Sequence, residues 1–419
     1  MSAFTVAAAQ SLGGPGWLAE RRRRAAEQFE ASPLPTVDEE IWRYSRIAEL
    51  DLGAWTPALP PPPLRAPAAA ASPPNAGRVV LVDGFVVHVE LSADAAAKGV
   101  RFGPAADLGP AGAELLGSAM SEPTDVFALL NDAFAPAPVV LSTPPGYDGA
   151  GVFVVESWLG PRWAAPRLVV HAGADGEVRV VEHVRSTPDA GRGLAAPVTE
   201  LVAERDARLG YLCLQELGPQ AWQLGSLVGR VEAQAQLSAS VAAFGGDYAR
   251  LRTDCRLVGR GGSAELVSLF FGDGDQTLDF RTFQDHQAQD TTSNLLFKGA
   301  VDDRSRSVYS GLIRVRPGAR GSNASQTNRN LKLSPDAWAE SVPNLEIQNN
   351  EVRCSHASAV GPIDDDQRFY LESRGLPPET AERLVVAGFF DEVLDRLPVH
   401  ELDDRVRALV SAKLAAHGS

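Results

Sequence analysis

ELVSLFFGDGDQTLDF, residues 265–280, places short runs of Leu, Val and Phe on either side of a Gly-Asp-Gly-Asp stretch. Apolar runs of this length bounded by glycine and aspartate read as strands joined by tight turns. Branched and aromatic side chains fit a pleated surface, and Gly or Asp supplies the turn. The same texture extends outward, through RLVVHAGADGEVRVVEHV (167–184) around Asp175-Gly176, QLSASVAAFGG (236–246) and SVYSGLIRVRPGA (307–319). From about Gly151 to Gly361 long helical patterns nearly vanish, so this region is an all-β sandwich, barrel or solenoid. Small polar residues at strand positions, as in TTSN (291–294) and SNASQTNRN (322–330), suit a solenoid, whose coils stack like side chains on one another. No strict repeat period accompanies them.

The flanks read differently. Val79 to Glu90, VVLVDGFVVHVE, is a hairpin signal around Asp83-Gly84. Before it, PALPPPPLRAPAAAASPP (57–74) carries too much proline for helix or sheet and reads as an extended linker or crossing loop. Helical patterns occupy 17–31 and Asp125 to Ala135. The run Arg21 to Arg24 lies in the first of these beside Glu20 and Glu27 and reads as a solvated face. After Gly361 come three helical segments: Asp364 to Arg374, stopped by Gly375; Glu379 to Leu397, behind Pro377-Pro378; and Val399 to about His417. The expected organisation is a mainly helical region 1–135, a β-rich core 136–361 and a helical domain 362–419.

A chain of 419 residues exceeds the ~250–300 at which single cores stop growing, so more than one unit is expected. A net charge of −14 opposes nucleic acid and anionic lipid, and no apolar run reaches the ~18 residues that span a bilayer. The N-terminus MSAFTVAAAQ lacks the pattern of a secretory signal, and the three cysteines form no close pair; both features point to the cytoplasm.

Several chemistries find no residues. None of the four lysines completes a GxxxxGK[ST] phosphate loop, and the zinc spacings CxxC and HxxxH are missing, as is a GxSxG elbow. Gly259, Gly261 and Ala264 fit a loose GxGxxA pattern with Asp279 downstream, but the next residues are β-rich where the fingerprint needs a long helix, so a hairpin turn is expected. Asp302-Asp303 could suit a glycosidase or lyase. Asp364 to Asp366 are favourable charge at a helix start. Cys354-Ser355-His356 is the one metal-capable cluster: two residues apart on a strand, thiol and imidazole face the same side, where they either bind metal or simply pack.

KGAVDDRSRSVYSGLIRV (298–315), QTNRNLKLS (326–334), LEI (345–347), CSHASAVG (354–361), DQRFYLESRGL (366–376) and AGFFDEVLDRLP (387–398), with PLPTVDEEIWRYS (33–45) upstream, resemble the SufB/SufD family of iron-sulfur cluster assembly scaffolds. Two positions are similar to SufD members of that family. Thr327 in Ser325-Gln326-Thr327 stands where SufB carries a cysteine, and Cys354-Ser355-His356 replaces the SufB motif EHE. The resemblance implies a mainly β protein, a right-handed parallel β-helix flanked by N- and C-terminal helical regions, acting as a scaffold and not an enzyme. It implies pairing with SufB through the β-helices and docking of the ATPase SufC, which binds the ATP, on the C-terminal helices. Leu384, Val385, Phe389, Val393 and Leu397 lie on one stripe at helical spacing, which on pattern alone reads as a face buried in the chain's own domain; the resemblance makes them, with Phe390, the docking residues. A transient iron-sulfur cluster would form at the SufB junction with His356, and with Cys354 as a second candidate ligand, and none would be stably bound by the chain alone. A SufB-like homodimeric scaffold and a carbohydrate-active β-helix enzyme are the alternatives, and a homodimer of the isolated chain stays open.

Overall fold

In a computed structural model that describes residues 3–57, 75–188 and 191–416, the β-rich middle winds as a parallel β-solenoid of about eight turns. Consecutive strands go alternately to two walls of ten and eleven strands. One wall runs from Val152–Leu159 to Arg353–Gly361, and the other ends on Trp338–Ile347, each strand parallel and in register with the one a coil earlier. At the N-terminal end Asn75–Val82 and Phe85–Leu91 form the expected hairpin, with Asp83 and Gly84 at φ 51° and 85°, and it extends the first wall. The proline-rich stretch lies, from residue 58 on, outside the described residues, as does His417.

Because successive strands belong to opposite walls, the Asp-Gly signals inside the core mark corners and not hairpins. Gly259-Arg260-Gly261 is one of them, joining Tyr248–Leu257 to Ser263–Gly272, which corrects the hairpin expected there. Gly261 has φ 70°, and its N–H donates to the carbonyl of Gln289 one coil on. Asp175, Asp206, Gln234, Asp290 and Gly321 repeat this, all at positive φ and each donating to the next coil. Gly and Asp tolerate that left-handed backbone best. These corner residues follow one another by 31, 28, 27, 29 and 31 residues, so every coil has its corner at an uneven distance and no fixed period is readable.

Side chains alternate between lumen and outer face. Through most of the solenoid the lumen is apolar, with columns such as Phe153, Val180, Tyr211, Ala239, Leu266 and Leu295 stacked coil on coil. Toward the C-terminal end it turns polar: His286 bridges the hydroxyls of Thr291 and Ser293 at 2.8 and 2.7 Å, and Thr291 meets Ser322 at 2.8 Å. Outside, Ser325 and Asn294 pair across the strands that carry TTSN and SNASQTNRN, as stacked polar rows require.

Helices cover the outer faces. Gly16–Ala31 and Val126–Phe134 lie over Trp163, Leu194, Trp222 and Tyr248. The arginine run is only half solvated. Arg22 is buried and donates to the carbonyls of Gly13, Ala135 and Pro136, and Arg21 pairs with Asp132, whereas Arg23 and Arg24 pair with Glu20 on the open side. Pro378–Leu394 and Asp403–Ala416 pack on the opposite wall against Leu212, Phe244, Leu269, Phe271 and Leu296. Lys298 fixes the first of these helices, donating to the Phe389 carbonyl at 2.9 Å and pairing with Glu392 at 2.6 Å.

Candidate functional site

Among the described residues no further coil lies beyond the last one of the solenoid, Trp338–Ile347 and Arg353–Gly361. Its lumen-facing residues are therefore uncovered. Ile313 and Val315 are fully buried, but Leu345 and Ile347, directly above them in register, are 37% and 46% exposed. On the other wall Asn330 is buried and Val360 above it is 41% exposed. Apolar side chains pointing into a lumen and left open at its mouth form a surface that water covers only at a cost. The sequence carried that surface in LEI (345–347), where alternate apolar residues share a face, but only the end of the stack shows it to be open.

His356 lies on this mouth, exposed, stacked on Gln326 of the preceding coil. Cys354, two residues before it, faces the same side and stacks on Ala324. The small alanine lets its thiol sink among Val315, Ala319 and Val352, so Cys354 is half-buried and burial raises its pKa. The thiolate is the metal-binding form, so this setting weakens it as a ligand. Cys255 is fully buried and pushed up to about 12 by desolvation, and Cys213 is raised further by burial and by Glu182. Thr327 points to the outer face, between Leu296 and Ala357, away from the lumen that holds Gln326. Among the described residues no three His, Cys, Asp or Glu side chains converge to hold a metal ion.

The C-terminal stripe is largely buried in the chain's own domain, as its pattern suggests, which corrects its use as a docking face. Phe390, Val393 and Leu397 are buried in the chain's own core, packed on the solenoid wall, and Val385 and Phe389 are partly buried in the same cluster. The three buried residues cannot contact a second protein without leaving that wall, whereas Val385 and Phe389 keep part of their surface open. The helix also ends at Leu394, three residues short of expectation, and Leu397 reaches the core from the following turn. Leu384 alone of the set is well exposed, at 49%. Its exposed neighbours in kind are Phe369 and Tyr370, at 70% and 58%, on Asp365–Ser373, a helix with no buried residue. That helix starts as expected, its Asp364 cap accepting from the N–H groups of Asp366 and Gln367. Sequence reading passed over Phe369 and Tyr370 because two aromatics in one short helix give no stripe.

Other concavities carry less. A lumen cavity beside Glu182, Tyr211 and Cys213 has about 30 Å³, room for one water, and Glu182 already accepts from Tyr211 and Thr199 at 2.5 and 2.8 Å. A groove of about 620 Å³ bears Arg230, Arg252, Arg256, Arg314 and Arg316, but Glu232, Asp254, Glu346 and Asp285 already pair with its guanidinium groups.

Residues 156–389 match the family model described as SUF system FeS cluster assembly, SufBD core domain. A Mycobacterium tuberculosis iron-sulfur cluster assembly SufBD family protein is 38% identical over 232 residues, 54% of this chain and 58% of the relative. The iron-sulfur cluster assembly protein SufD of Escherichia coli is 31% identical over 57% of this chain and 56% of its own length. SufD of Bacillus subtilis is 34% identical over 38% and 36%. The matches thus span little more than half the length of these curated relatives, or less.

Proposed function

Because the chain belongs to the SufBD family of SUF-system iron-sulfur cluster assembly proteins, we propose that it is a SufD-like scaffold subunit that pairs with SufB through the open end of its solenoid. The observation that carries this reading is the uncovered last coil, with Leu345, Ile347 and Val360 at its mouth. A second solenoid end laid against it would continue the stack and bury all three.

His356 stands on that junction, and a neutral imidazole suits iron. In this reading iron at His356 takes its other ligands from SufB, and the nascent cluster is cargo shared by the two subunits. Cys354 is a secondary ligand at most. SufC, carrying the ATP, docks on the exposed Phe369, Tyr370 and Leu384, and its closure strains the junction open. This subunit then positions and holds, and performs no chemistry alone. No described helix is long and apolar enough to cross a membrane, which agrees with work in the cytoplasm. When SufB is absent, a second copy covers the same apolar mouth.

The test is co-expression with SufB and SufC followed by size exclusion. A ternary complex that carries iron and sulfide, and loses both with SufB, is the expected result. A chain that elutes alone in the presence of SufB sinks the assignment.

A further inference from the structure

We propose that Gln326 is the positioning residue for His356, its amide oxygen holding one imidazole N–H so that the other ring nitrogen faces incoming iron; this rests on the reading of His356 as an iron ligand. Both residues belong to one lumen column. Below them it is made of Phe153, Val180, Tyr211, Ala239, Leu266 and Leu295, all packed in the core. The column then changes character, and its last two members are Gln326 and His356. Parallel in-register neighbours stand on the same face, one strand spacing of ~4.8 Å apart, within reach of each other's side chains.

Gln326 is 1% exposed, and neither its Nε2 nor its Oε1 has a hydrogen-bond partner. Leu295 beneath it offers none. The Tyr309 hydroxyl nearby is already engaged with Thr282 at 2.9 Å. Across the lumen Gly311 leaves the space that the amide occupies, since a Cβ there would lie 2.5 Å from Nε2. A primary amide buried with nothing to bond costs stability, and an aliphatic side chain would continue the column at no such cost. The polar side chain stacked on its open side is His356. An imidazole whose N–H is held by a carbonyl-type oxygen keeps one tautomer and becomes a better ligand through its other nitrogen. With one nitrogen so held, the other is left for a metal or partner approaching the exposed mouth.

The experiment uses the full chain with ¹⁵N-labelled histidine at pH 8, the His356 ring signals being those that vanish in His356→Ala. A single tautomer is expected for the wild type. Gln326→Leu, which fills similar space without an amide, should give the averaged shifts of a tautomer mixture and lower cluster maturation in cells tenfold or more. Gln326→Glu, which keeps an acceptor, should restore the single tautomer. Gln326→Asn withdraws the amide by one methylene and repeats the loss should the leucine variant fail to fold. Ring shifts unchanged in folded Gln326→Leu or Gln326→Asn overturn the proposal. A His356→Ala strain that matures clusters normally overturns instead the ligand reading beneath it.

Discussion

At the scale of single residues the chain separates two histidines that look alike in sequence. His356 is exposed at the solenoid mouth, so His356→Ala removes no core packing and opens the Gln326 amide beneath it to water. Stability should stay within ~1 kcal/mol of wild type by urea titration, and the complex with SufB and SufC should persist on size exclusion while cluster maturation fails. Loss of the complex would make His356 a packing residue. His286 is the contrast, fully buried between Thr291 and Ser293, with its pKa lowered from 6.5 to about 4 by desolvation. The unfolded chain binds that proton near pH 6.5 and the folded one near 4, so the stabilisation is complete above pH 6.5 and is lost as pH falls toward 4. The loss is on the order of 3 kcal/mol. Urea midpoints at pH 7.5 and 5 should differ less in His286→Gln than in wild type; equal differences would refute the assignment. Cys354-Ser355-His356 was readable as a metal-capable cluster because alternation puts positions 354 and 356 on one face. That the cysteine sinks and the histidine stays out depended on Ala324 and the absent next coil.

At the scale of elements the helix Pro378–Leu394 shows how a stripe can mislead. Apolar spacing announces a buried face without saying what buries it, and here the cover is the chain's own solenoid wall. Phe390 is fully buried, so Phe390→Ala should cost about 3–5 kcal/mol in denaturant unfolding and loosen the C-terminal helices. Phe369→Ala with Leu384→Ala touches exposed side chains and should shift stability by no more than ~0.5 kcal/mol per site, yet weaken capture of SufC in pull-downs. Unaltered capture would move that docking site off these helices. The corners carry the complementary lesson: Asp-Gly between apolar runs predicts a turn from backbone chemistry alone. Whether that turn closes a hairpin or rounds a coil is set by which wall the next strand joins.

At the scale of the whole molecule the open end of the stack is the decisive feature. Ile347→Asp places a charge where a second solenoid would seat, and the isolated chain should lose no more than ~2 °C in thermal midpoint because the site is already wet. Co-elution with SufB should vanish; an intact complex would show that pairing uses another face. Composition and local pattern alone determined that the middle is β, that both ends carry helices, and that Cys354 and His356 share a face. Those properties follow from side-chain periodicity and turn chemistry, which act over a few residues. The solenoid's period stayed hidden because corners 27 to 31 residues apart are held in line by backbone hydrogen bonds between coils, and those bonds tolerate uneven loops. Tertiary structure alone decided that Phe390, Val393 and Leu397 are core, that Leu345, Ile347 and Val360 are surface, and that Gln326 lies buried beneath His356. Burial depends on what stacks above a residue, and residues some thirty positions apart in the chain supply that cover.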